Sequence, residues 1–353
     1  MTEQVIVERA GRLGVLTLNR PEAINSLSLA MVQALTGALE DWRRDDEVSC
    51  VFLRGAGQRG FCAGGDVILV RDSIRAGEPQ VAREFWRREY ELNARIARYP
   101  KPIVALMEGV VMGGGIGLAG HASHRLVVPG AAIAMPEVKI GLAPDVGGSF
   151  LLARAPGESG IHLALTGEVI GARDAIHCGL ADAIAPTEAH HLLVEALSAG
   201  DVEAALGSLR PAPVDGESDE LTLPAREAWI DSCYSHDSVE GIVAALERHP
   251  DPAAHAAAAE IGLMSPLALK VTLEAIRRAR SMAAVEECLE QDFRVSSAFL
   301  STHDLPEGIR AVLVDKDRRP RWDPTSLAAV SEPMVARHFA PVADEIPLPV
   351  VQS

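Results

Sequence analysis

Between residues 107 and 150 the chain reads MEGVVMGGGIGLAGHASHRLVVPGAAIAMPEVKIGLAPDVGGSF. A triple glycine, Gly113, Gly114 and Gly115, precedes an apolar run and then two isolated carboxylates, Glu137 and Asp145. Acids set among Ala, Met, Pro, Ile and Leu are not placed like solvated surface acids. Burial disfavours their charged form, which makes them candidates for acid/base or nucleophilic work. Consecutive glycines that open a helix leave backbone N–H groups facing outward, towards an anion or a polarised oxygen. The rest of the chain is a frame for this stretch.

That frame alternates strands with helices. Val5-Ile6-Val7 and Val15 to Leu18 read as a hairpin around a glycine turn, and Ser28 caps a helix through about Arg43, apolar at Met31, Leu35, Leu39 and Trp42. Residues 50–53 form a buried strand, and 54–67 a glycine loop leading into a helix. A helix over 81–98 and a strand over 102–107 follow. Strand–helix alternation through about residue 190 predicts an α/β core. Beyond it, residues 211–223 are rich in Pro, Gly and acids, and 224–325 are helix-patterned, with Ser265 and Pro266 as N-cap and first-turn proline. The expected division is a core over 1–210, a linker over 211–223, a helical region over 224–325 and a loosely patterned tail over 326–353.

Composition narrows the function. A net charge of −16 argues against nucleic acid, which would require a basic face. Anionic ligands must then be met by a local basic patch or by helix N-termini. The five cysteines form no close pair and read as reduced thiols. The start has no apolar leader segment and no apolar run spans a bilayer, so the expectation is a soluble, cytoplasmic protein with no membrane partner.

Several motifs admit plainer readings. Gly115-Ile-Gly117-Leu-Ala-Gly120 matches a dinucleotide fingerprint only superficially, since Glu108 and Gly109 interrupt the strand that should lead into it. Phe61-Cys-Ala-Gly-Gly-Asp66 alone would be a tight turn with Asp66 as N-cap. Paired with the triple glycine, it offers a second backbone N–H, and the two together can form an oxyanion hole. Asp145 could cap the helix running through Leu151 and Leu152. Glu89, between Arg88 and Tyr90, reads as a solvated helix acid. His121 and His124 lack a third metal ligand nearby in sequence, so no metal is expected. Arg71, Lys316, Arg318 and Arg319 are surface residues or contacts for phosphates.

FCAGGD, MGGGIGL and MPEVKIGLAPDVGGSFLL resemble the oxyanion-hole and active-site segments of the crotonase (enoyl-CoA hydratase/isomerase) superfamily. The pieces REYELN, PDVGG, VDKD and PRW are similar to its 3-hydroxyisobutyryl-CoA hydrolase branch, and the likeness runs from the first strand to about Trp322. The resemblance implies a spiral core of repeated ββα units with a helical C-terminal region. It also implies an acyl-CoA ligand whose carbonyl is held by the N–H groups of Gly65 and Gly114, with CoA as part of the substrate and no other cofactor. Homo-oligomers are common among such relatives. Hydratases of this superfamily use two glutamates. This chain has Glu137 at the second position but Gly117 at the first, and it carries Asp145 where hydratases commonly have glycine.

The expected activity is therefore hydrolysis of a short hydroxyacyl-CoA, placing the chain in valine catabolism. Glu137 is nucleophile or general base, Asp145 orients water or meets the substrate hydroxyl, and Glu89 lines the substrate. The alternatives are a hydratase or isomerase of the same superfamily and a non-catalytic acyl-CoA-binding protein.

Overall fold

A computed structural model describes residues 3–187, 189–209 and 222–342. The chain forms two compact units that are interleaved along the sequence rather than consecutive. The first comprises Met1–Gly65, Arg88–Ala134 and Val169–Leu221; the second comprises Asp66–Arg87, Met135–Glu168 and Thr222–Ser353.

The first unit is built from ββα repeats. Strands β1 (Val5–Ala10) and β2 (Leu13–Leu18) form the expected antiparallel hairpin. Helix α1 (Leu29–Arg43) follows, with the Ser28 hydroxyl accepting from the Met31 N–H and Met31, Leu35, Leu39 and Trp42 buried. Next come β3 (Cys50–Gly55) and β4 (Gly60–Cys62); the chain then passes through the second unit's α2 (Val67–Ala76) and the start of α3 (Pro79–Ala97), which belongs to the first unit from Arg88 onward. The third repeat is β5 (Ile103–Met107), β6 (Val110–Met112) and α4 (Gly114–Ala119). Then β7 (His124–Val127), β8 (Ala132–Ala134) and, later, β9 (Ala183–Ile184) close the strand set. Both hairpin strands join a sheet ordered β1-β2-β3-β5-β7-β9; in the three pairs that follow, the first strand joins that sheet and the second a small sheet β4-β6-β8. Apart from the hairpin, all these pairings are parallel. This is the crotonase spiral, in an α/β fold with a helical C-terminal region.

A parallel sheet must be covered on both faces, and its inner strands β2, β3 and β5 are correspondingly apolar along most of their length. Leu13, Val15, Cys50, Phe52, Val104, Leu106 and Leu126 pack with Leu193, Leu197 and Val202. The alternate residues Leu16, Val51, Leu53 and Ile103 meet Leu35, Leu39, Leu92, Ile96 and Leu118. The glycine loop expected over 54–67 differs from the structure, which contains β4. Three residues with a glycine at one end give too short an alternation to register as a strand.

The second unit is mostly helical and includes α5 (Gly148–Leu152) and α6 (Ser159–Thr166). Helix Pro266–Ala279 begins as expected, with the Ser265 hydroxyl accepting from the Ala268 N–H at 3.1 Å. Residues 211–221 of the expected linker and 343–353 of the expected tail lie outside the described residues. The described part of the tail carries a helix, Glu332–Arg337. Among the described residues no single helix is long and apolar enough to cross a membrane.

Candidate active site

In the first unit, β4 and β6 run parallel and each ends in a glycine turn. After β4 the chain passes through Gly64 (φ 109°) and Gly65 to Asp66, whose carboxylate accepts from the Leu69 N–H and caps α2. The Leu27 N–H donates to the Gly64 carbonyl at 2.8 Å and ties this turn down. After β6, Gly113 (φ 48°) turns the chain into α4, and Gly114 is the first helical residue. An N–H at that position has no acceptor within its own helix. The two turns lie side by side: a Cβ built on Gly114 would stand 3.1 Å from the Gly65 nitrogen. The pair thus supplies two adjacent backbone donors of the kind that stabilise a developing oxyanion.

Glu89 joins this group. Although it sits in a run of charged residues, its side chain is only 1% exposed, and Oε1 lies 2.5 Å from where a Gly114 Cβ would be. The solvated reading of Glu89 is therefore overturned: α3 turns this residue inward, while its neighbour Arg88 pairs with Glu91 at 3.1 Å. Cys62 is buried beside the same turns, and burial, reinforced by the Glu89 charge, pushes its thiol up to about 12. Such a thiol is not a nucleophile at neutral pH.

Glu137 belongs to the second unit. Met135-Pro136 leads into a 3₁₀ turn, Glu137–Ile140, so the carboxylate stands at its first residue, 6% exposed. Its carbonyl accepts from the Leu142 N–H at 3.1 Å, and Gly141 (φ 71°) ends the turn against the Asp304 backbone.

Asp145, also 6% exposed, opens a tighter turn in the same unit. Its carbonyl accepts from the Gly148 N–H at 2.6 Å, and both middle residues are left-handed, Val146 at φ 55° and Gly147 at φ 75°. Gly147 takes that conformation freely, but a β-branched valine there costs about 1–3 kcal/mol. The expectation that Asp145 caps the following helix is corrected: the N-cap of α5 is Gly147, without a side-chain cap. The Gly147 N–H instead donates to Asp292 Oδ2 at 2.8 Å, a carboxyl from helix Val285–Phe299 that is only 2% exposed. Burial, with the Asp145 charge adding to it, raises the Asp292 carboxyl well above the ordinary carboxylate range, against the lowering effect of the Gly147 N–H. The Cys288 thiol faces both Asp292 oxygens at 3.8 and 3.9 Å.

Sequence reasoning passed over Asp292. The available signal was its position on the apolar stripe Val285, Cys288, Leu289, Val295 and Phe299, where a lone acid has no solvated reading. Of the other residues singled out, His124 meets Ser123 and Glu203 at 3.0 and 3.4 Å. Among the described residues no group of three or more His, Cys, Asp or Glu is arranged to hold a metal ion. Arg71 pairs with Asp72 at 3.0 Å. The run through Lys316, Arg318 and Arg319 is a turn organised by Arg310, which bonds Asp315, Asp317 and the Arg319 carbonyl.

The family model for enoyl-CoA hydratase/isomerase matches residues 13–339. Among curated proteins, the mitochondrial 3-hydroxyisobutyryl-CoA hydrolases of Rattus norvegicus and Danio rerio are 38% and 39% identical over 344 residues, 96% of this chain and 89% of each relative. Among solved structures, a carnitinyl-CoA dehydratase from Mycobacterium thermoresistibile is 47% identical with a TM-score of 0.92, covering 98% of this chain and 99% of its own. An enoyl-CoA hydratase from Rhodobacter sphaeroides is 42% identical with a TM-score of 0.88, covering 96% and 98%. The cytoplasmic location expected from the chain's start does not stand, because the curated relatives are mitochondrial by name. Matched along almost its whole length in sequence and in fold, the chain belongs to the enoyl-CoA hydratase/isomerase family.

Proposed function

We propose that this chain is an acyl-CoA thioester hydrolase of the 3-hydroxyisobutyryl-CoA hydrolase type, releasing a short hydroxy acid and free CoA. The observation that carries the reading is the likeness to curated 3-hydroxyisobutyryl-CoA hydrolases over 96% of the chain, with 89% of each relative covered. The side chains support it. Attack on a thioester puts negative charge on the carbonyl oxygen, and the adjacent Gly65 and Gly114 amides are the donors assigned to that charge. Removing one such donor typically costs about 10²–10³ in kcat. Glu137 is assigned the chemical step, either as nucleophile, giving a transient anhydride that water opens, or as general base for water. Both routes need its carboxylate ionised, and both end with the acyl group on oxygen and the thiol released. Asp145 is assigned to the attacking water or to the substrate hydroxyl, and Glu89 to the wall beside Gly114. CoA enters as part of the substrate.

Hydration or dehydration of an acyl-CoA is a second reading, favoured by the names of the two similar solved structures. Against it stands Gly117, a buried helix glycine at the place where hydratases of this superfamily carry their other glutamate. A panel of short acyl-CoAs separates the two. The expected result is faster thiol release from 3-hydroxyisobutyryl-CoA or 3-hydroxypropionyl-CoA than any hydration of crotonyl-CoA. Efficient hydration without thiol release would overturn the hydrolase reading.

A further inference from the structure

We propose that Asp292 is a positioning residue for thioester cleavage, holding through the Gly147 amide the left-handed turn that presents Asp145. The inference rests on the role given to Asp145 above. Two neighbouring residues in left-handed conformation, one of them Val146, persist only where the surroundings over-determine them. Side-chain hydrogen bonds hold this turn. The Ser149 hydroxyl donates to the Pro144 carbonyl at 3.0 Å from within the same loop. Asp292 accepts from the Gly147 N–H at 2.8 Å from 145 residues further along the chain. The Asp292 bond therefore anchors the turn to the body of its unit. Its neighbours on the helix, Cys288, Leu289, Val295 and Phe299, are all buried, and an apolar residue would pack among them at lower cost. A carboxyl here has a use that packing does not supply. Burial and the nearby Asp145 charge favour its neutral form. In that form it still accepts from Gly147 without competing electrostatically with Asp145.

Asparagine is then a close substitute, since it keeps a neutral acceptor of the same shape. Asp292→Asn should retain kcat for thiol release within a few-fold, whereas Asp292→Ala should lower kcat by about 10²-fold, with KM little changed. Circular dichroism and thermal unfolding establish that each variant is folded, and Cys288→Ala, which leaves the Gly147 bond intact, should keep wild-type kcat. The decisive comparison adds Asp292→Ala to Asp145→Asn. If Asp292 acts through Asp145, the double variant is no slower than Asp145→Asn alone. Additive losses, full activity of Asp292→Ala, or an Asp292→Asn as slow as Asp292→Ala would each overturn the proposal. Normal thiol release by Asp145→Asn would instead sink the role given to Asp145, and a slow Asp292→Ala beside it would show that Asp292 acts elsewhere.

Discussion

The carboxylate of Glu89 stands where a side chain on residue 114 would have to begin: Oε1 lies 2.5 Å from the Cβ position of Gly114, with the Gly65 nitrogen 3.1 Å from the same point. Glycine at 114 is thus required by close approach, the left-handed position of this turn being Gly113. Gly114→Ala must push the buried Glu89 carboxylate aside or part the two glycine turns. The expected outcome is a folded protein whose kcat for thiol release falls by up to about 10²-fold, the usual scale for an oxyanion donor, because alanine keeps the N–H but displaces it from its place beside Gly65. Wild-type kcat in Gly114→Ala would mean that these amides do not serve the reaction.

Gly37 offers the contrast. It lies inside α1, exposed, and a Cβ there meets nothing within 4 Å. Glycine in a helix interior is less favourable than alanine by about 0.8–1 kcal/mol. Gly37→Ala should raise the midpoint of thermal or urea unfolding and leave turnover unchanged. A lower midpoint would indicate a packing constraint at that position.

A buried network in the second unit gives a test of stability that does not touch the reaction. His162, 1% exposed, meets the Tyr234 hydroxyl at 2.7 Å through Nδ1 and Glu168 at 2.7 Å through Nε2, while Arg226 bonds both Glu168 oxygens. Tyr234→Phe leaves His162 Nδ1 buried without that hydroxyl and should cost about 1–3 kcal/mol in urea unfolding. An unchanged midpoint would show that Nδ1 finds another partner.

The same network sets a pH dependence. Burial alone would raise the Glu168 carboxyl, but hydrogen bonds from His162 and Arg226 outweigh it and hold the group down to about 2. An unfolded glutamate titrates near 4.3. Because the folded value is the lower one, the contribution is complete above the unfolded value and is lost as pH falls from there towards about 2. The gap in unfolding free energy between wild type and Glu168→Gln should therefore be on the order of 2–3 kcal/mol at neutral pH. It should narrow below about pH 4, and a gap constant to pH 2.5 would contradict the assignment.

Elements with local signals were legible in the sequence. Ser28 before the stripe Met31, Leu35, Leu39, Trp42 marks α1, and Ser265-Pro266 marks the start of the helix Pro266–Ala279, because caps and periodicity act over a few residues. The two glycine turns were legible as turns, and their adjacency followed from the resemblance rather than from spacing. What local patterns could not convey was set by distant chain. Glu89 reads as a surface acid from its neighbours, yet α3 turns it inward. Asp145 looks like an N-cap, yet Gly147 occupies that place and Asp292 serves its amide from 145 residues away. The interleaving of the two compact units likewise has no local signal, since each crosses the other's stretches of sequence.

The roles assigned to Glu137 and Asp145 separate by substitution. Glu137→Gln keeps the shape of the side chain and much of its hydrogen bonding but cannot act as base or nucleophile. General-base action is worth about 10²–10⁴ in rate, so kcat for thiol release should fall by at least that range. Substrate binding should be largely retained, because glutamine matches glutamate in size and Glu137 is assigned to the chemical step rather than to holding CoA, and the loss should appear in kcat rather than KM. Asp145→Asn should lower kcat less. If Asp145 meets the substrate hydroxyl, this change should also reduce the preference for 3-hydroxyisobutyryl-CoA over isobutyryl-CoA, measured as a ratio of kcat/KM values. Those values reflect transition-state binding, so losing one hydrogen bond to the hydroxyl shows as a selective loss on the hydroxylated substrate. A Glu137→Gln variant with near-normal thiol release beside an inactive Asp145→Asn would reverse the two assignments, and normal activity in both would move the chemistry to other residues.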